Sequence, residues 1–136
     1  MSMTVRMIGA HPRRTAETEA SVLAMCIEEC ASCAQACVAC TDACLSEPDV
    51  RDLVRCASLN LDCADLCDAT ARILARQSAL ESSLARSVVL ACAEACRLCG
   101  DECDRHSDHE HCRICAEACK RCEQACTELL ASLPSR

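Results

Sequence analysis

Cys26, Cys30, Cys33, Cys37, Cys40 and Cys44 follow one another at intervals of three or four residues. Thiolates are soft ligands and strong nucleophiles, so such a run points to metal binding, disulfide formation or redox chemistry. The six cover 18 residues in five steps, a mean of 3.6. That is the repeat of an α-helix, and it lays the sulfurs along one side of a single helix. The pattern recurs as Cys56, Cys63, Cys67, then Cys92, Cys96, Cys99, Cys103, and finally Cys112, Cys115, Cys119, Cys122, Cys126. Neighbours at these spacings have Cβ atoms about 5–6 Å apart, whereas a disulfide wants about 3.5–4.5 Å. A metal ion between two sulfurs fills the longer gap.

The second run is interrupted between Cys56 and Cys63. Asn60 stands four residues after Cys56, close to the stripe, where its amide could lend a carbonyl oxygen to a metal, hydrogen-bond a sulfur, or be a buried polar group satisfied by backbone or water. The turn Arg105-His-Ser-Asp-His-Glu-His111 adds imidazoles. Continuing the stripes at 100° per residue puts His106 and His111 nearer the sulfur line than His109, so His106 and His111 are the candidate rim ligands. His11 stands alone and is not expected to bind metal. Met1, Met3 and Met7 suit a packing segment or flexible terminus better than a thioether site.

The elements that must carry these residues are helices throughout. Ala, Leu, Arg and Glu dominate, strand alternation is nowhere visible, and two glycines with three prolines leave little room for loops. Serines followed three residues later by an acid mark helix starts at Ser46, Ser78 and Ser107. The reading is helices at about 15–45, 47–77, 79–106 and 108–132. Short links make an all-α, antiparallel up-down-up-down four-helix bundle with a cysteine-lined core. Residues 1–14 form an N-terminal segment and 15–136 the metal-storage domain. Val22, Leu23, Ile73, Leu74, Leu84, Val88, Val89, Leu129, Leu130 and Leu133 gather at one end as an apolar plug. Cys44, Cys56, Cys103, Cys112 and the histidine turn gather at the other, which is the expected mouth.

A formal charge of −7 with no aromatic residue argues against nucleic acid and against anionic membranes. No signal-peptide core is visible, and no apolar run approaches the ~20 residues of a membrane span. The expected location is therefore the cytoplasm, where thiols stay reduced and a disulfide scaffold is the weaker reading. Zinc favours discrete four-ligand sites on loop-borne knuckles. Iron–sulfur clusters use compact cysteine sets that end in proline. A long inward column of thiolates instead suits Cu(I), which takes two or three sulfurs and lets each sulfur bridge two ions. A metallothionein-like zinc or mixed-metal buffer stays open as an alternative, as does an iron–sulfur or dithiol electron-transfer protein.

With these residues in place, the chain from about Thr15 to Leu133 resembles the cytosolic branch of the bacterial copper storage proteins. The carriers are the repeated C-x₃-C-x₂-C from Cys26 to Cys44, the Cys/Asn stripe from Cys56 to Cys67, and the two later runs beside His106 and His111. The resemblance implies a four-helix bundle holding many Cu(I) ions per chain on cysteine thiolates, with histidine and asparagine assisting near the open end. It implies a homotetramer and a non-enzymatic role in limiting copper toxicity and supplying cuproenzymes. Copper would arrive from thiol ligands or a copper chaperone.

Overall fold

A computed structural model of the chain describes residues 1–14, 18–78 and 82–133. The described residues form five α-helices and no strand: α1 Met3–Gly9, α2 Ala20–Leu45, α3 Val54–Ala75, α4 Ser82–Asp104 and α5 Glu110–Ser132, with a 3-10 turn at Val50–Leu53 before α3. The all-helical expectation holds. Helix α2 packs on α3 and α5, α4 packs on the same two, and α1 lies against α2. The core between them is built mainly of sulfur, because all 18 cysteines are free and buried at 1 % exposure or less.

Helix boundaries depart from the sequence reading for local reasons. Helix α2 begins at Ala20, and Thr15, where a start was expected, lies outside the described residues. Ser46 does not open the second helix. It closes α2, its hydroxyl donating to the Asp42 carbonyl 3.1 Å away, and the α3 start waits until Val54. Pro48 disfavours helical backbone in the residue before it, and the chain tightens through a 3-10 turn first. Ser107 is likewise no cap, since α5 starts at Glu110 behind His109. The box proposed at Ser78–Glu81 falls partly on residues 79–81, outside those described.

Helix α1 was not anticipated. Ser2 Oγ accepts from the Val5 amide at 3.2 Å, a side-chain cap on seven residues. Ile8 is 3 % exposed and enters the core, while Met1, Met3 and Met7 face solvent. The segment then straps the far end: His11 Nε2 lies 3.1 Å from Ser78 Oγ, and Arg14 donates to Gln77 Oε1 at 3.2 Å and to the Thr18 carbonyl. Gln77 is itself buried. It donates to the Leu74 carbonyl at 2.6 Å.

The apolar plug forms largely as expected. Leu23, Leu74, Val89 and Leu129 are buried, and Val22, Val88, Leu130 and Leu133 pack against them. The exceptions are Leu84, 56 % exposed on the outer face of α4, and Ile73, which is only half-buried and not part of the core cluster. Two residues let the helices approach closely. Gly100 sits where an added Cβ would lie 3.3 Å from Cys119 Cβ, and Thr41 Oγ1 donates to the Ala57 carbonyl across α2 and α3 at 3.2 Å. One sequence expectation needs correction. Helix α2, 26 residues long, is apolar enough to cross a membrane by composition. Six cysteines on its core face and scattered alanines create that apolarity, and Glu28, Glu29 and Asp42 interrupt it.

Candidate metal centre

Helical periodicity makes the sulfurs meet across helices as well as along them. From the plug outward, Cys26 faces Cys126 at 3.9 Å, Cys30 faces Cys122 at 3.6 Å and Cys92 at 3.8 Å, and Cys67 lies 3.7 Å from both Cys92 and Cys96. Cys63 continues the chain to Cys33 at 3.9 Å and Cys96 at 3.8 Å. Cys33 reaches Cys119 at 3.8 Å, and Cys37 reaches Cys115 at 3.7 Å and Cys99 at 4.0 Å. Three sulfurs each ~2.3 Å from a central ion are ~4.0 Å apart in a plane and four are ~3.8 Å apart in a tetrahedron, taking the zinc–sulfur bond as the scale. The spacing is that of a metal–thiolate assembly.

Sharing of sulfurs matters more than spacing. Cys33 and Cys63 belong both to the group with Cys37 and Cys119 and to the group with Cys67 and Cys96, while Cys37 and Cys119 also group with Cys99 and Cys115. Independent four-sulfur sites would need separate cysteines. Filling neighbouring groups together would make their shared thiolates bridge, which suits a soft monovalent ion.

Asn60 occupies the gap in the α3 stripe and is fully buried. Its Oδ1 accepts from Cys99 and Cys115 at 3.0 Å each and from Cys103 at 3.7 Å, and its Nδ2 lies 3.7 Å from Cys56 Sγ. The amide is thus a node joining the deep sulfurs to the outer pair Cys56 and Cys103, which are 3.6 Å apart. Of the roles open to Asn60, these contacts describe hydrogen bonding to sulfur.

At the mouth, Cys40 lies 4.0 Å from both Cys44 and Cys112. His111 Nδ1 stands 3.5 Å from Cys40 Sγ and 3.6 Å from Cys112 Sγ, and these four residues form a candidate metal group. Hydrogen bonding from Cys103 first, with Cys56 and His111 adding, pulls the Cys40 thiol down to about 6. Burial first, then the charge on Cys40, pushes Cys44 up to about 12 and Cys112 up as well. An ion bound by all three sulfurs would displace the protons that Cys44 and Cys112 hold.

The other histidines are placed differently from their expected order. His106 is held by Glu102, Nε2 to Oε2 at 2.8 Å, and Glu102 also accepts from Arg55 Nε at 3.2 Å. His109 stacks on His111 with ring centroids 5.4 Å apart and an interplanar angle of 22°. It contacts Asp49 Oδ2 through Nε2 and Glu47 Oε2 through Nδ1, at 3.0 Å each. Glu47 Oε2 also meets His111 Nε2 at 2.8 Å. The hydrogen bond to Asp49 raises the His109 pKa. For His111 burial opposes, but hydrogen bonds to Cys40 and Glu47 outweigh it and the net shift is upward. Glu47, Asp49 and Glu102 were missed by sequence reasoning. Glu102 carried a signal, four residues before His106 on the same helical face. His11 and Met25 lie away from this end, His11 beside Ser78 and Met25 half exposed on α2.

A sequence profile described as copper storage protein matches residues 19–131. The chain belongs to the copper storage protein family. Among relatives of this family, the copper storage protein Ccsp of Streptomyces lividans, solved loaded with 10 copper equivalents, is 52 % identical, with a TM-score of 0.94 over 96 % of this chain and all of that one. The Cu(I)-bound copper storage protein BsCsp3 is 35 % identical, with a TM-score of 0.69 over 77 % of this chain and 94 % of that one. An uncharacterised cysteine-rich protein of Bacillus subtilis, YhjQ, is 36 % identical over 106 residues, 78 % of this chain and 94 % of its own.

Proposed function

We propose that this copper storage protein sequesters many Cu(I) ions along its sulfur column, protecting the cell from the metal and supplying it to cuproenzymes, and that it catalyses no reaction. The observation that carries the reading is the overlap of the four-sulfur groups around Cys33, Cys37, Cys63 and Cys119, since shared sulfurs demand bridging. The ligands are the 18 cysteines, with Asn60 supporting the middle and His111 the mouth. His106 joins them as a rim ligand, oriented by Glu102 as carboxylates orient metal-binding histidines.

The scaffold is an antiparallel up-down-up-down bundle within 15–136, the metal-storage domain, with 1–14 an N-terminal segment fastened to it. Register supports it: Cys26 meets Cys126 while Cys40 meets Cys112, and Cys67 meets Cys92 while Cys56 meets Cys103, so the α2–α5 and α3–α4 pairs run in opposite senses. Assembly as a homotetramer is supported by Val38, Leu45, Val54, Leu61 and Ile114, large apolar side chains left exposed. A cytoplasmic location follows the cytosolic description of the Streptomyces lividans relative. Delivery by thiol ligands or a copper chaperone fits a mouth where hydrogen bonding lowers the Cys40 thiol pKa.

Anaerobic Cu(I) titration against a competing chelator tests the reading. Bridged thiolates give roughly one Cu(I) per cysteine, whereas separate four-sulfur sites stop near one ion per four thiolates. An endpoint of four or five ions per chain rejects the continuous column.

A further inference from the structure

Two surfaces away from the sulfur column complement each other in shape and charge. Residues 30–41 of α2 contain no Asp, Glu, Lys or Arg. Beside α3 the outer side of this stretch forms an open groove floored by Ala31, Ala34, Val38 and Ala64. The alanines keep the floor low, and Val38 is 55 % exposed. Asp42, Asp65 and Asp68 stand at the edge, and no basic residue lines the groove. The second surface is the outer side of α1. Met3 and Met7, four residues apart and so on one side of the helix, are 74 % and 67 % exposed, with Arg6 exposed next to Met7. Ile8 and Val5 hold the other side against the core. Several exposed charges elsewhere pair off, Lys120 with Asp104 at 2.5 Å and Arg121 with Glu29 at 3.3 Å. Among the described residues, Arg6, Asp42, Asp65 and Asp68 make no ion pair.

We infer that α1 of one copy of this chain docks in the α2–α3 groove of a second copy, with Met3 and Met7 on the alanine floor and Arg6 against the aspartates. Within one chain the two surfaces stay apart. Ser2 ties the start of α1 to Glu28 at 3.3 Å and Ile8 holds its end to the core, whereas the groove begins at Ala31 and runs toward the mouth. Unbranched thioether side chains adapt to a shallow apolar floor. Anchors one helical turn apart in a groove are a recurrent way for a short helix to be recognised, and opposite charges at the edge fix its orientation. Each copy gives its α1 and receives the other's, so the contact closes as a two-fold pair and leaves no open end. In the homotetramer, on which this placement rests, the pair is the first unit of assembly.

Sedimentation velocity of the full reduced chain over a concentration series, at physiological salt, tests the docking. Met7→Glu and Val38→Glu should each weaken self-association about tenfold or more, because either places an unpaired carboxylate in an apolar contact. Both side chains are exposed in the single chain, so the far-ultraviolet circular dichroism of the variants should match wild type. Arg6→Asp should also weaken assembly, and Asp65→Arg or Asp68→Arg added to the same chain should restore it, which a merely destabilised fold would not show. A wild type that stays monomeric overturns the tetramer and the pair together. A wild type that assembles but ignores Met7→Glu or Val38→Glu keeps the tetramer and overturns this docking. So does an Arg6→Asp defect that neither aspartate reversal rescues.

Discussion

The two ends of the helical core solve opposite problems with the same helices, α2 to α5. At the closed end Leu23, Leu74, Val89 and Leu129 fill the interior, and the 1–14 segment is fastened across it by Ile8, His11 and Arg14. At the mouth the interior side chains are Cys40, Cys44, Cys56, Cys103 and Cys112, with imidazoles and carboxylates above them. Burying a leucine stabilises by about 1.5–3 kcal/mol, whereas a cysteine offers a smaller apolar surface and a chemistry. Stability is concentrated away from the end at which the proposed reading has metal enter. This lets the working end consist of groups that must change partners whenever an ion moves.

Substitutions at the two ends should therefore differ in kind. The largest effect on folding is expected from Leu74→Ala or Leu129→Ala, which leave a cavity in the plug and cost about 2–5 kcal/mol. Thermal unfolding of the reduced metal-free protein, followed by far-ultraviolet circular dichroism, gives the number. The same spectrum should be strongly helical before any metal is added, and a coil that turns helical only with copper would contradict the division of labour. Asn60→Ala comes next, at about 1–3 kcal/mol, because it removes a buried amide on which thiols of α4 and α5 converge. Its denaturant midpoint should fall while the plug stays intact.

Arg14→Ala tests the strap, and loss of its bonds to Gln77 and Thr18 should cost about 0.5–1.5 kcal/mol each at most. Amide hydrogen exchange should rise in residues 3–14 before anywhere else, and uniform protection would show that the strap is not a separate unit. His111→Ala sits at the bottom of the stability scale, within about 1 kcal/mol for a partly exposed pair. Its effect should appear in time: stopped-flow loading from a defined Cu(I) donor slows, while total uptake changes by no more than an ion or so. A large loss of capacity would make His111 a core ligand, and unchanged kinetics would make it a turn residue.

What could be read from the chain beforehand was whatever repeats. The sulfur stripes obey 3.6-residue periodicity over several turns, and all of them point inward. Asn60 was legible because it falls on a stripe. The histidines were ranked by extending that periodicity past Cys103 and back from Cys112, but α4 ends at Asp104 and α5 starts at Glu110. Angles carried through a turn have no meaning, which is why His109, ranked last, stacks on His111. Ser46 and Ser107 looked like caps because the spacing of a capping box also arises by chance in polar links. Helix α1, seven residues long, is too short to show a period, and its docking depends on Ile8, Val5 and three long-range hydrogen bonds, from Ser2, His11 and Arg14, that no local pattern encodes.

The complete burial of the sulfurs has one more consequence. A thiol can be alkylated only when reagent reaches it as thiolate, and none of the 18 is more than 1 % exposed. Labelling of the metal-free protein must then wait for local opening of the helices around each sulfur. The cysteines become a ladder of chemical clocks running from Cys44 at the rim to Cys26 beside the plug. Peptide-resolved mass spectrometry of timed alkylation would read from it, step by step, how far into the bundle each breathing motion reaches.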